Sequence, residues 1–572
     1  MPTGGQTNET DALAPRTEQL DRLSGETFDL AIIGGGINGA AIARDAAMRG
    51  LNVALVDRGD FAGATSSHSS KLIHGGLRYL PQGRFRLVYR ALRERELLRH
   101  LTAPHLARPL RFLFPFYRGR RPGRLAVSAG LMLYDLFARM PSAERHRRLG
   151  VAATLAAQPA LAREGLTGGA IYFDAWGDDA RLTLENAIDA ALHGAAVANY
   201  VAVEGFSRSG GKIAAAGLRD AIGARTLELR ARLFINAAGP WADELRRLDD
   251  PRCAPRIRLT KGVHLMVHED RLPLREALTL TDEAGRIVFA IPHGEWRLVG
   301  ATDTDYAGKP AAARPESQDI DYLLGVINHS MPGVGLTIDD VAHSFVGLRA
   351  LPAGGSLRPS AVSREEIVVE SASGLLTVAG GKLTTHREIA EAIVDRCLVR
   401  FGLPVSKSPT LTAPLPGARR PEMPVFGPSG EVSSIEMNAG THSMLAERYG
   451  ARAAMVEAIA QERAGLGERL APGVPAIRAE VIYATRNEMA LTTADFLIRR
   501  TAMTWRNPPA AQAAAPEVAR LLAIELGWDE RRRVADLAEF FASANLRVDS
   551  TGAPAAKSPS RDDVQVRRGG GA

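Results

Sequence analysis

The stretch Phe28–Val56, FDLAIIGGGINGAAIARDAAMRGLNVALV, decides the fold of this 572-residue chain. Its first part, Phe28–Ile33, is a short apolar run that stops at three glycines, as expected for a buried strand. The alanine-rich segment Ile37–Arg49 has helical composition and ends at a glycine. A second apolar run, Asn52–Val56, closes the stretch. The order strand, helix, strand predicts a βαβ unit and therefore the beginning of a parallel sheet.

The glycines between the first strand and the helix form the pattern G-x-G-x-x-G. Gly34 permits a tight turn, Gly36 lets a pyrophosphate approach the backbone, and Gly39 lets the helix pack closely on the strand. The first turn of the helix, which contains Asn38, offers N–H groups and a positive dipole end to phosphates. Asp57 follows the second strand, where an acid can bind ribose hydroxyls. In this context the pattern predicts a dinucleotide site.

Later glycine turns distinguish between the two common dinucleotides. Asn236–Gly239 (NAAG) follows a late strand and Gly380–Gly381 follows another, whereas the first glycine motif lies near the start of the chain. FAD is a long molecule that needs backbone N–H groups along both of its ends, which one mononucleotide fold cannot supply. These features favour FAD over NAD.

The remaining segments indicate two interleaved domains. Thr226–Asn236 and Gly374–Ala379 have the composition of further strands of the parallel sheet, whereas Leu259–Val267 and Ile287–Ala301 are typical of an antiparallel sheet that binds substrate. We predict a disordered lead-in at residues 1–27, a composite domain at 28–403, a linker at 404–428, a helical domain at 429–548 and a disordered tail at 549–572. Within the composite domain, cofactor-binding segments are expected at about 28–84, 177–258 and 340–403, and cap segments at about 85–176 and 259–339.

Composition excludes several classes of protein. An apolar fraction of 45% with 24% charged residues is ordinary for a globular protein. The two cysteines, Cys253 and Cys397, lie far apart, so we expect neither a disulfide framework nor a metal site, and a reducing cytoplasm suits them. No apolar run reaches about 18 residues, so we expect no membrane-spanning helix. No aromatic RNA-binding motif or helix-turn-helix signature indicates a nucleic-acid partner.

Basic residues are concentrated in one segment. Arg84–Arg124 contains 12 arginines and only two acids, a local excess of about +10, although the whole chain carries +7. A basic amphipathic surface of this kind can lie on an anionic leaflet. The alternative is a cap helix with a solvated arginine face. The apolar residues interleaved with the arginines are Phe85, Leu87, Val88, Leu97, Leu98, Phe112, Leu113, Phe114 and Phe116.

The 17-residue segment Ala64–Leu80, ATSSHSSKLIHGGLRYL, carries a specific resemblance. Through it the chain resembles the FAD-dependent glycerol-3-phosphate dehydrogenase family, of the aerobic, quinone-linked type. The other similar stretches are Gly34–Ala40, Trp176–Leu182, Asn236–Asp243, Lys261–His264, Gly300–Asp303, Gly347–Leu351, Gly380–Arg387 and Asp495–Thr501. The chain departs from the family at Ala350, where proline is common, and at His386, where tyrosine is common.

This resemblance implies an α/β fold in which a glutathione-reductase-type, Rossmann-like FAD-binding domain is interleaved with an antiparallel-sheet substrate cap and followed by a C-terminal helical domain. It implies oxidation of sn-glycerol 3-phosphate to dihydroxyacetone phosphate by hydride transfer to FAD. Electrons would pass to a membrane quinone, and the protein would lie peripherally on the cytoplasmic face of the cell membrane. It leaves a homodimer open.

The reaction needs a group that takes the hydroxyl proton and cations that hold the phosphate. The resemblance brings His74 to the site, where an imidazole of ordinary pKa about 6.5 suits a general base, and a purely positioning role is equally open. Arg349 could instead stabilise the developing alkoxide. The cations expected to bind the substrate are Arg78, Arg349 and Lys382. Weaker candidates for substrate-binding residues are Tyr79, His264 and Thr302.

The residues expected to bind the cofactor are Gly34, Gly36, Asn38, Gly39, Asp57, Thr65, Ser66, Ser67, Ser70, Lys71, Gly239, Gly381, Lys382, Leu383 and Thr384. A structural interpretation is preferred for some charged residues in the resembling stretches. We interpret this stretch as acids at a helix N-terminus, Asp178 and Asp179, with a structural ion pair that involves Arg181. Asp495 is read as a residue that caps or begins a helix.

The sequence is compatible with three rival functions. A soluble glycerol-3-phosphate oxidase would use the same site residues and pass electrons to oxygen. An amino-acid oxidase of the same fold would need a carboxylate clamp rather than a site of several cations for phosphate. A binding protein that uses FAD only structurally is the third. The basic segment favours quinone over oxygen, because a quinone is met at the bilayer.

Overall fold

The computed structural model describes residues 13–120, 123–139, 141–353, 366–419 and 439–544. The strands in these ranges are β1 (Thr27–Ile33), β2 (Val53–Val56), β3 (Leu72–Ile73), β4 (Ala107–Tyr117), β5 (Arg147–Leu149), β6 (Leu166–Gly177), β7 (Ala196–Ala198), β8 (Val201–Ser209), β9 (Lys212–Asp220), β10 (Thr226–Asn236), β11 (Ile257–His268), β12 (Ala277–Thr281), β13 (Ile287–His293), β14 (Trp296–Gly300), β15 (Thr304–Tyr306), β16 (Val341–Pro352), β17 (Glu366–Glu370) and β18 (Leu376–Gly380).

The α-helices of the same ranges are α1 (Arg16–Gly25), α2 (Ile37–Met48), α3 (Phe85–Leu97), α4 (Arg124–Ala138), α5 (Val151–Ala157), α6 (Asp179–Leu192), α7 (Ala242–Asp249), α8 (Ser317–Ser330), α9 (His386–Arg400), α10 (Ala439–Tyr449), α11 (Ala453–Glu462), α12 (Arg478–Asn487), α13 (Met503–Arg506), α14 (Pro508–Leu526) and α15 (Glu530–Ser543). Short 3₁₀ and π-helical turns connect several of them.

The predicted βαβ unit forms the centre of the first sheet. β1 lies between β2 and β10 and is parallel to both, with Leu30 opposite Val53 on one side and Leu233 on the other. The helix α2 packs between α6 and α9 over this sheet. At Gly39, a Cβ would lie 1.8 Å from the carbonyl oxygen of Gly34, so only glycine lets the helix approach the strand this closely.

Two sheets make up the composite domain. The first has the order β17-β18-β10-β1-β2-β7, and the β8–β9 ribbon extends it along β10. The second has the order β15-β11-β14-β13-β12-β4-β6-β3 and is mostly antiparallel, with one parallel pair between β12 and β4. Segments of the chain alternate between the sheets, which confirms the interleaved architecture predicted from the sequence.

Two predicted boundaries are wrong. β3, expected in the cofactor-binding segment 28–84, pairs with β6 in the cap sheet. Residues from 340 onward were expected in the cofactor-binding domain, but β16 pairs antiparallel with β11 along nearly its whole length and so belongs to the cap sheet. The physical reason is that its alternating pattern, buried at Val341, His343, Phe345 and Gly347, suits the edge of an antiparallel sheet with one face on the core. Among the described residues, the chain next joins the first sheet at β17.

The lead-in predicted as disordered is also wrong for residues 16–27, and residues 1–12 lie outside the described ranges. Residues 16–25 form α1, and Thr27 begins β1. Leu20 and Leu23 of α1 are buried, and the backbone N–H of Val197 in β7 donates to the Gln19 side chain at 3.1 Å. The helix is polar in composition, so its few apolar residues gave a weak signal for a packed element.

The C-terminal helical domain has its own apolar core, built from α10 to α15 and the turns between them. The predicted linker contains neither α-helix nor strand over residues 404–419, and its part beyond 419 lies outside the described ranges. The 404–419 segment is nevertheless packed, because Leu415 is buried and the Ser408 hydroxyl donates to Asp45 at 3.0 Å. The predicted tail at 549–572 lies outside the described ranges.

Candidate active site

A cavity of about 1350 Å³ lies between the two sheets. One end is walled by the turns that follow β1, β2, β10 and β18, which are the carboxyl ends of the parallel strands, and the other end by the cap strands. Ligands of open α/β folds bind at this edge of the sheet. The interleaving of the chain therefore brings residues far apart in sequence into one elongated site.

The first glycine turn forms the floor of this cavity. Gly34 has φ +114°, and a Cβ there would lie 2.5 Å from the carbonyl oxygen of Ala237, so another residue would be strained and crowded. Gly36 immediately precedes α2, and the N–H of Ile37 donates to the Ser66 hydroxyl at 2.9 Å. The Asn38 amide donates to the carbonyl of Gly380 at 3.0 Å. These contacts tie three turns around the helix N-terminus.

Asp57 organises the end of β2. Its carboxylate accepts hydrogen bonds from the backbone N–H of Gly35 at 2.6 Å and of Gly59 at 2.8 Å. Burial raises the pKa of Asp57 to about 6, although these two N–H groups favour the charged form. An acidic group that holds the glycine turn and faces the cavity suits the ribose of a dinucleotide.

The residues present fit FAD. Gly239 has φ +53° and lines the cavity, and a Cβ there would enter open space, which leaves room for a ligand against the backbone. His264 lines the cavity at its other end, and its buried Nδ1 has no hydrogen-bond partner among the described residues. A ligand that spans both positions would be long and polar at each end, as FAD is.

His74 is held by the turn that follows β18. Its backbone N–H donates to the Thr384 hydroxyl at 3.2 Å, and the same hydroxyl donates to the His74 carbonyl at 3.3 Å. In the same turn after β18, the Lys382 ammonium lies 4.2 Å from the centre of the Tyr79 ring. All four of these residues line the cavity. The structure thus brings together the predicted base, a predicted phosphate cation and the tyrosine beside it.

A buried polar cluster that the sequence analysis missed supports the His74 loop. The N–H of Gly75 donates to Tyr134 at 2.8 Å and to Asp174 at 3.3 Å, and Arg95 donates to Asp174 at 2.7 Å. Burial raises the pKa of Asp174, while Arg95 opposes this shift. An aspartate in the otherwise apolar run of β6 was the available signal for this cluster.

Arg349 projects from β16 on the cap side of the cavity. Its guanidinium donates to the carbonyl of Thr302 at 3.1 Å and faces Asp303 at 3.3 Å. It lies across Gly262 of β11, where a Cβ would be 2.5 Å from a guanidinium nitrogen. The side chain is 22% exposed, so a ligand in the cavity can reach it.

His264 is uncharged in this setting. Its ring stacks on Phe345 with centroids 4.9 Å apart, and its Nε2 lies 2.8 Å from the Ser70 hydroxyl. Burial lowers the pKa of His264 far below its usual range, and the nearby charges of Arg349 and Lys71 lower it further. A neutral imidazole here can exchange hydrogen bonds but adds no positive charge to the site.

The side chains or backbone of some predicted residues are engaged in structural contacts within the protein. Lys71 is buried, its ammonium donates to Asp179 at 2.6 Å, and neither Lys71 nor Ser67 lines the cavity. Gly39 faces the strand rather than the cavity. Thr302 lines the cavity, but its hydroxyl accepts from the N–H of Val263 at 2.9 Å and is thereby engaged with β11.

Arg78 lies in the 3₁₀ turn Leu77–Gln82, but its side chain is outside the described part of the structure, so its role stays a prediction. The predicted residues that do line the cavity are Gly34, Gly36, Asn38, Asp57, Thr65, Ser66, Ser70, His74, Tyr79, Gly239, His264, Thr302, Arg349, Gly381, Lys382, Leu383 and Thr384. Lining residues that sequence reasoning missed include Arg58, Asp60, Tyr172, Asp174, Tyr200, Trp241, Thr279, Arg286, Phe289 and Arg499.

Two acids outside the cavity behave as the sequence suggested. Asp178 caps α6 by accepting from the N–H of Arg181 at 3.1 Å, and Asp179 holds Lys71, which confirms the structural interpretation of this stretch. The departure at His386 is also accommodated structurally. His386 begins α9, is buried, and donates from Nδ1 to the Leu383 carbonyl at 2.8 Å, which stabilises the turn that carries Lys382.

Comparison with known proteins agrees with this geometry. Residues 29–387 match the family described as FAD dependent oxidoreductase, and residues 408–533 match the C-terminal domain of alpha-glycerophosphate oxidase. The chain is 38% identical to the aerobic glycerol-3-phosphate dehydrogenase of Staphylococcus saprophyticus, over 85% of this chain and 89% of that protein. It is 35% identical to the Bacillus subtilis enzyme of the same name, over 91% and 95%. The crystal structure of Bacillus halodurans glycerol-3-phosphate dehydrogenase complexed with FAD superposes with TM-score 0.76 at 30% identity, covering 96% of this chain and all of that one.

The raised pKa of Asp57 predicts how FAD affinity depends on pH. Only the ionised carboxylate can accept the ribose hydroxyls while it also accepts two backbone N–H groups. With a pKa of about 6, about a tenth of Asp57 stays ionised at pH 5, so apoprotein should bind FAD roughly tenfold more weakly there than at pH 7. Fluorescence titration would measure this. Asp57→Asn should bind weakly at both pH values, and equal wild-type affinity at both would contradict the assignment.

Proposed function

The chain belongs to the FAD-dependent oxidoreductase family, within the group of aerobic glycerol-3-phosphate dehydrogenases, and we propose that it oxidises sn-glycerol 3-phosphate to dihydroxyacetone phosphate and passes the electrons to a membrane quinone. One observation carries the proposal. One cavity contains both a dinucleotide cradle and the side chains of His74, Lys382 and Arg349. Bound FAD supplies the acceptor for the hydride that leaves C2 of the alcohol.

Lys382 and Arg349 would hold the substrate phosphate, which carries nearly two negative charges. They come from different sheets, since Lys382 lies on the turn after β18 and Arg349 on the cap strand β16, and both line the cavity. Charge-assisted hydrogen bonds from a guanidinium and an ammonium are strong in a partly desolvated cavity. An amino-acid substrate would use one carboxylate clamp, so two separate cations favour a phosphate ester over an amino acid.

His74 is the group we assign to proton removal from the C2 hydroxyl. Its backbone is fixed to Thr384 on one side, and the following residue, Gly75, is fixed by Tyr134 and Asp174 on the other. A base anchored at both ends can meet the hydroxyl without a loss of orientation entropy during the reaction. Arg349 would stabilise negative charge as it develops on the oxygen.

The proposed membrane contact has a different basis from the one the sequence suggested. Most apolar residues between Arg84 and Arg124 are buried: Phe112, Leu113, Phe114 and Phe116 belong to the cap core. Several arginines of the segment also pair with acids, for example Arg95 with Asp174. These buried residues therefore cannot form an exposed amphipathic surface with the arginines, and the expectation of such a surface is wrong for them.

An exposed apolar stripe lies on α4 instead. Leu125, Met132 and Leu136 are 80%, 59% and 69% exposed, and with Ala129 they follow one face of the helix. The helix packs beside α3, whose Phe85 is also exposed, and exposed arginines flank both helices. No helix among the described residues is long and apolar enough to span a bilayer. We propose that this stripe inserts into the interfacial region of the cytoplasmic leaflet while the arginines contact anionic lipid.

This location also bears on the electron acceptor. A lipid-soluble quinone is reached at the bilayer, so a membrane-docked enzyme suits quinone, whereas the alternative, a soluble oxidase that uses oxygen, would have no use for the stripe. A homodimer stays a prediction from resemblance alone.

The substrate assignment predicts selective reduction of the flavin. Under anaerobic conditions, glycerol 3-phosphate should bleach the flavin absorbance, whereas glycerol, which lacks the phosphate, should react very poorly. Arg349→Ala and Lys382→Ala should each weaken transition-state binding by on the order of 2–4 kcal/mol, measured from kcat/KM. Lys309→Ala removes an exposed cation outside the cavity and serves as the control. Similar rates with glycerol and glycerol 3-phosphate would contradict the phosphate site.

The assignment of His74 predicts a specific kinetic defect. His74→Asn should retain FAD but slow its reduction by roughly 10²–10⁴-fold in rapid mixing, because the proton acceptor is lost. The low-pH limb of the rate profile should disappear in the same variant. His100→Asn, at a site whose side chain is 60% exposed, is the matched control. An unchanged reduction rate in His74→Asn would reduce its role to positioning.

If the apolar stripe on α4 inserts into lipid, then charged side chains introduced into the stripe should abolish lipid binding. Each fully transferred leucine or methionine would contribute roughly 1.5–3 kcal/mol, so Leu125→Glu, Met132→Glu and Leu136→Glu together should release the protein from anionic vesicles in sedimentation. Flavin reduction by substrate should not change. Val399→Glu with Ile524→Glu alters two residues that are 67% and 53% exposed elsewhere and should leave binding intact. Wild-type protein that stays in the supernatant at low salt would refute the membrane proposal and favour the oxidase.

A further inference from the structure

The helical domain reaches the cavity through Arg499, which lines it, and through the contacts of two arginines with one buried aspartate. Asp60 lies on the loop that follows β2, lines the cavity and is 3% exposed. Arg499 donates to it from Nε at 2.5 Å, and Arg500 donates from its two terminal nitrogens at 2.5 and 2.9 Å. Asn199, which follows β7, donates to the same carboxylate at 2.9 Å. Two arginines of one domain thus hold a cavity loop of the other.

These arginines are themselves fixed within a balanced set of charges. Both lie on the π-helical turn Asp495–Arg500 of the helical domain, where Arg499 also donates to Asp495 at 2.5 Å. Nearby, Arg181 of α6 donates to Glu488 at 2.8 Å. Three arginines therefore meet the three carboxylates of Asp60, Asp495 and Glu488, all of them buried. Removal of one member would leave an uncompensated buried charge, which strongly opposes folding of the interface.

Tyr200 supplies a second contact between the helical domain and the cavity wall. Its φ of +57° lies in the left-handed region, which a tyrosine rarely adopts unless its surroundings impose it. The Tyr200 N–H donates to the Gly59 carbonyl at 2.8 Å, and its hydroxyl donates to Asp495 at 2.6 Å. Tyr200 lines the cavity as well. The conformation of this cavity residue is thus coupled to an acid of the helical domain.

We propose that the turn Asp495–Arg500 of the C-terminal helical domain is a cofactor clamp, in which Arg499 and Arg500 are positioning residues that hold the Asp57–Gly63 loop in its FAD-binding shape. Asp57 faces the cavity at the start of this loop, and its carboxylate is anchored to Gly35 and Gly59. Asp60 anchors the middle of the loop to the helical domain through Arg499 and Arg500. FAD retention then depends on a domain that lies outside the βαβ unit. The proposal rests on FAD binding and not on the identity of the substrate.

The charge state of Asp60 supports a permanent clamp. Burial alone would raise the pKa of Asp60, but the neighbouring guanidinium groups of Arg500 and Arg499 hold it below its usual range. The carboxylate is therefore ionised at neutral pH, as the ion cluster requires.

The test compares two pairs of ionic residues that cross the same domain interface. Asp60→Asn with Arg500→Met removes one acid and one base of the clamp, so the buried charges stay balanced. Asp178→Asn with Arg506→Met removes the ion pair that joins the domains at 2.8 Å, and neither residue lines the cavity. FAD release from the full-length holoprotein, followed by the rise in flavin fluorescence on dilution, is measured without substrate.

The clamp pair should release FAD at least tenfold faster than wild type, whereas the control pair should stay within about twofold. Equal release rates for the two pairs would overturn the proposal, since loosening of the interface would then account for the effect. If the clamp pair does not fold, Arg500→Lys keeps the charge but loses the two-nitrogen fork, and release should still accelerate several-fold. Wild-type release from Arg500→Lys in that case would overturn it.

A second test measures the effect of bound FAD on the docking of the helical domain. If the helical domain favours the FAD-binding loop, then FAD must favour the docked helical domain by the same factor. Hydrogen exchange at the backbone amides of residues 489–500 should therefore be slower in holoprotein than in apoprotein, and the amides of α11, which packs against α10 and α12, should change little. Equal exchange at residues 489–500 with and without FAD would count against the clamp.

Discussion

The close approach of α2 to the end of β1 is the constraint on which the rest of the structure depends. With a Cβ at Gly39 only 1.8 Å from the Gly34 carbonyl oxygen, the helix could not rest on the strand. That approach points the helix N-terminus at the cavity and leaves room for Ser66 and Asn38 to tie the turns after β2 and β18 to it. The turn after β18 in turn carries Lys382 and Thr384, and Thr384 fixes His74. A single backbone contact thus helps to position the cofactor turns, Lys382 and His74.

The sequence predicted this half of the molecule well because its information is local. The glycine spacing, the apolar run and the acid after the second strand all lie between residues 28 and 57, and each has a direct conformational meaning. The predicted positions of Gly34, Asp57, His74, Arg349 and Lys382 all line one cavity. Resemblance was needed for the last three, because no spacing rule connects His74 to residues nearly 300 positions later.

What could not be predicted depends on contacts between distant segments. Lys71 looked like a cofactor residue because it lies in a polar loop, but Asp179 neutralises it inside the protein. The phenylalanines from 112 to 116 looked like a surface because arginines flank them, but β4 is an inner strand of the cap sheet. In both cases burial decides the role, and burial follows from pairing that a linear pattern does not contain. Asp60 was missed for the same reason, since its partners lie about 440 residues away.

The position of β1 has a consequence for how the chain is made. β1 is separated from its neighbour β2 in the sequence by the single helix α2. Its other neighbour, β10, begins at Thr226, much later in the chain. At a synthesis rate of about 5–20 residues per second, one edge of β1 stays without its partner for roughly 10–40 s after it is translated. During that interval a strand that is buried in the finished sheet presents an open edge of the kind on which chains aggregate. This inner strand is therefore a segment of the nascent chain that needs protection from aggregation until β10 has been made.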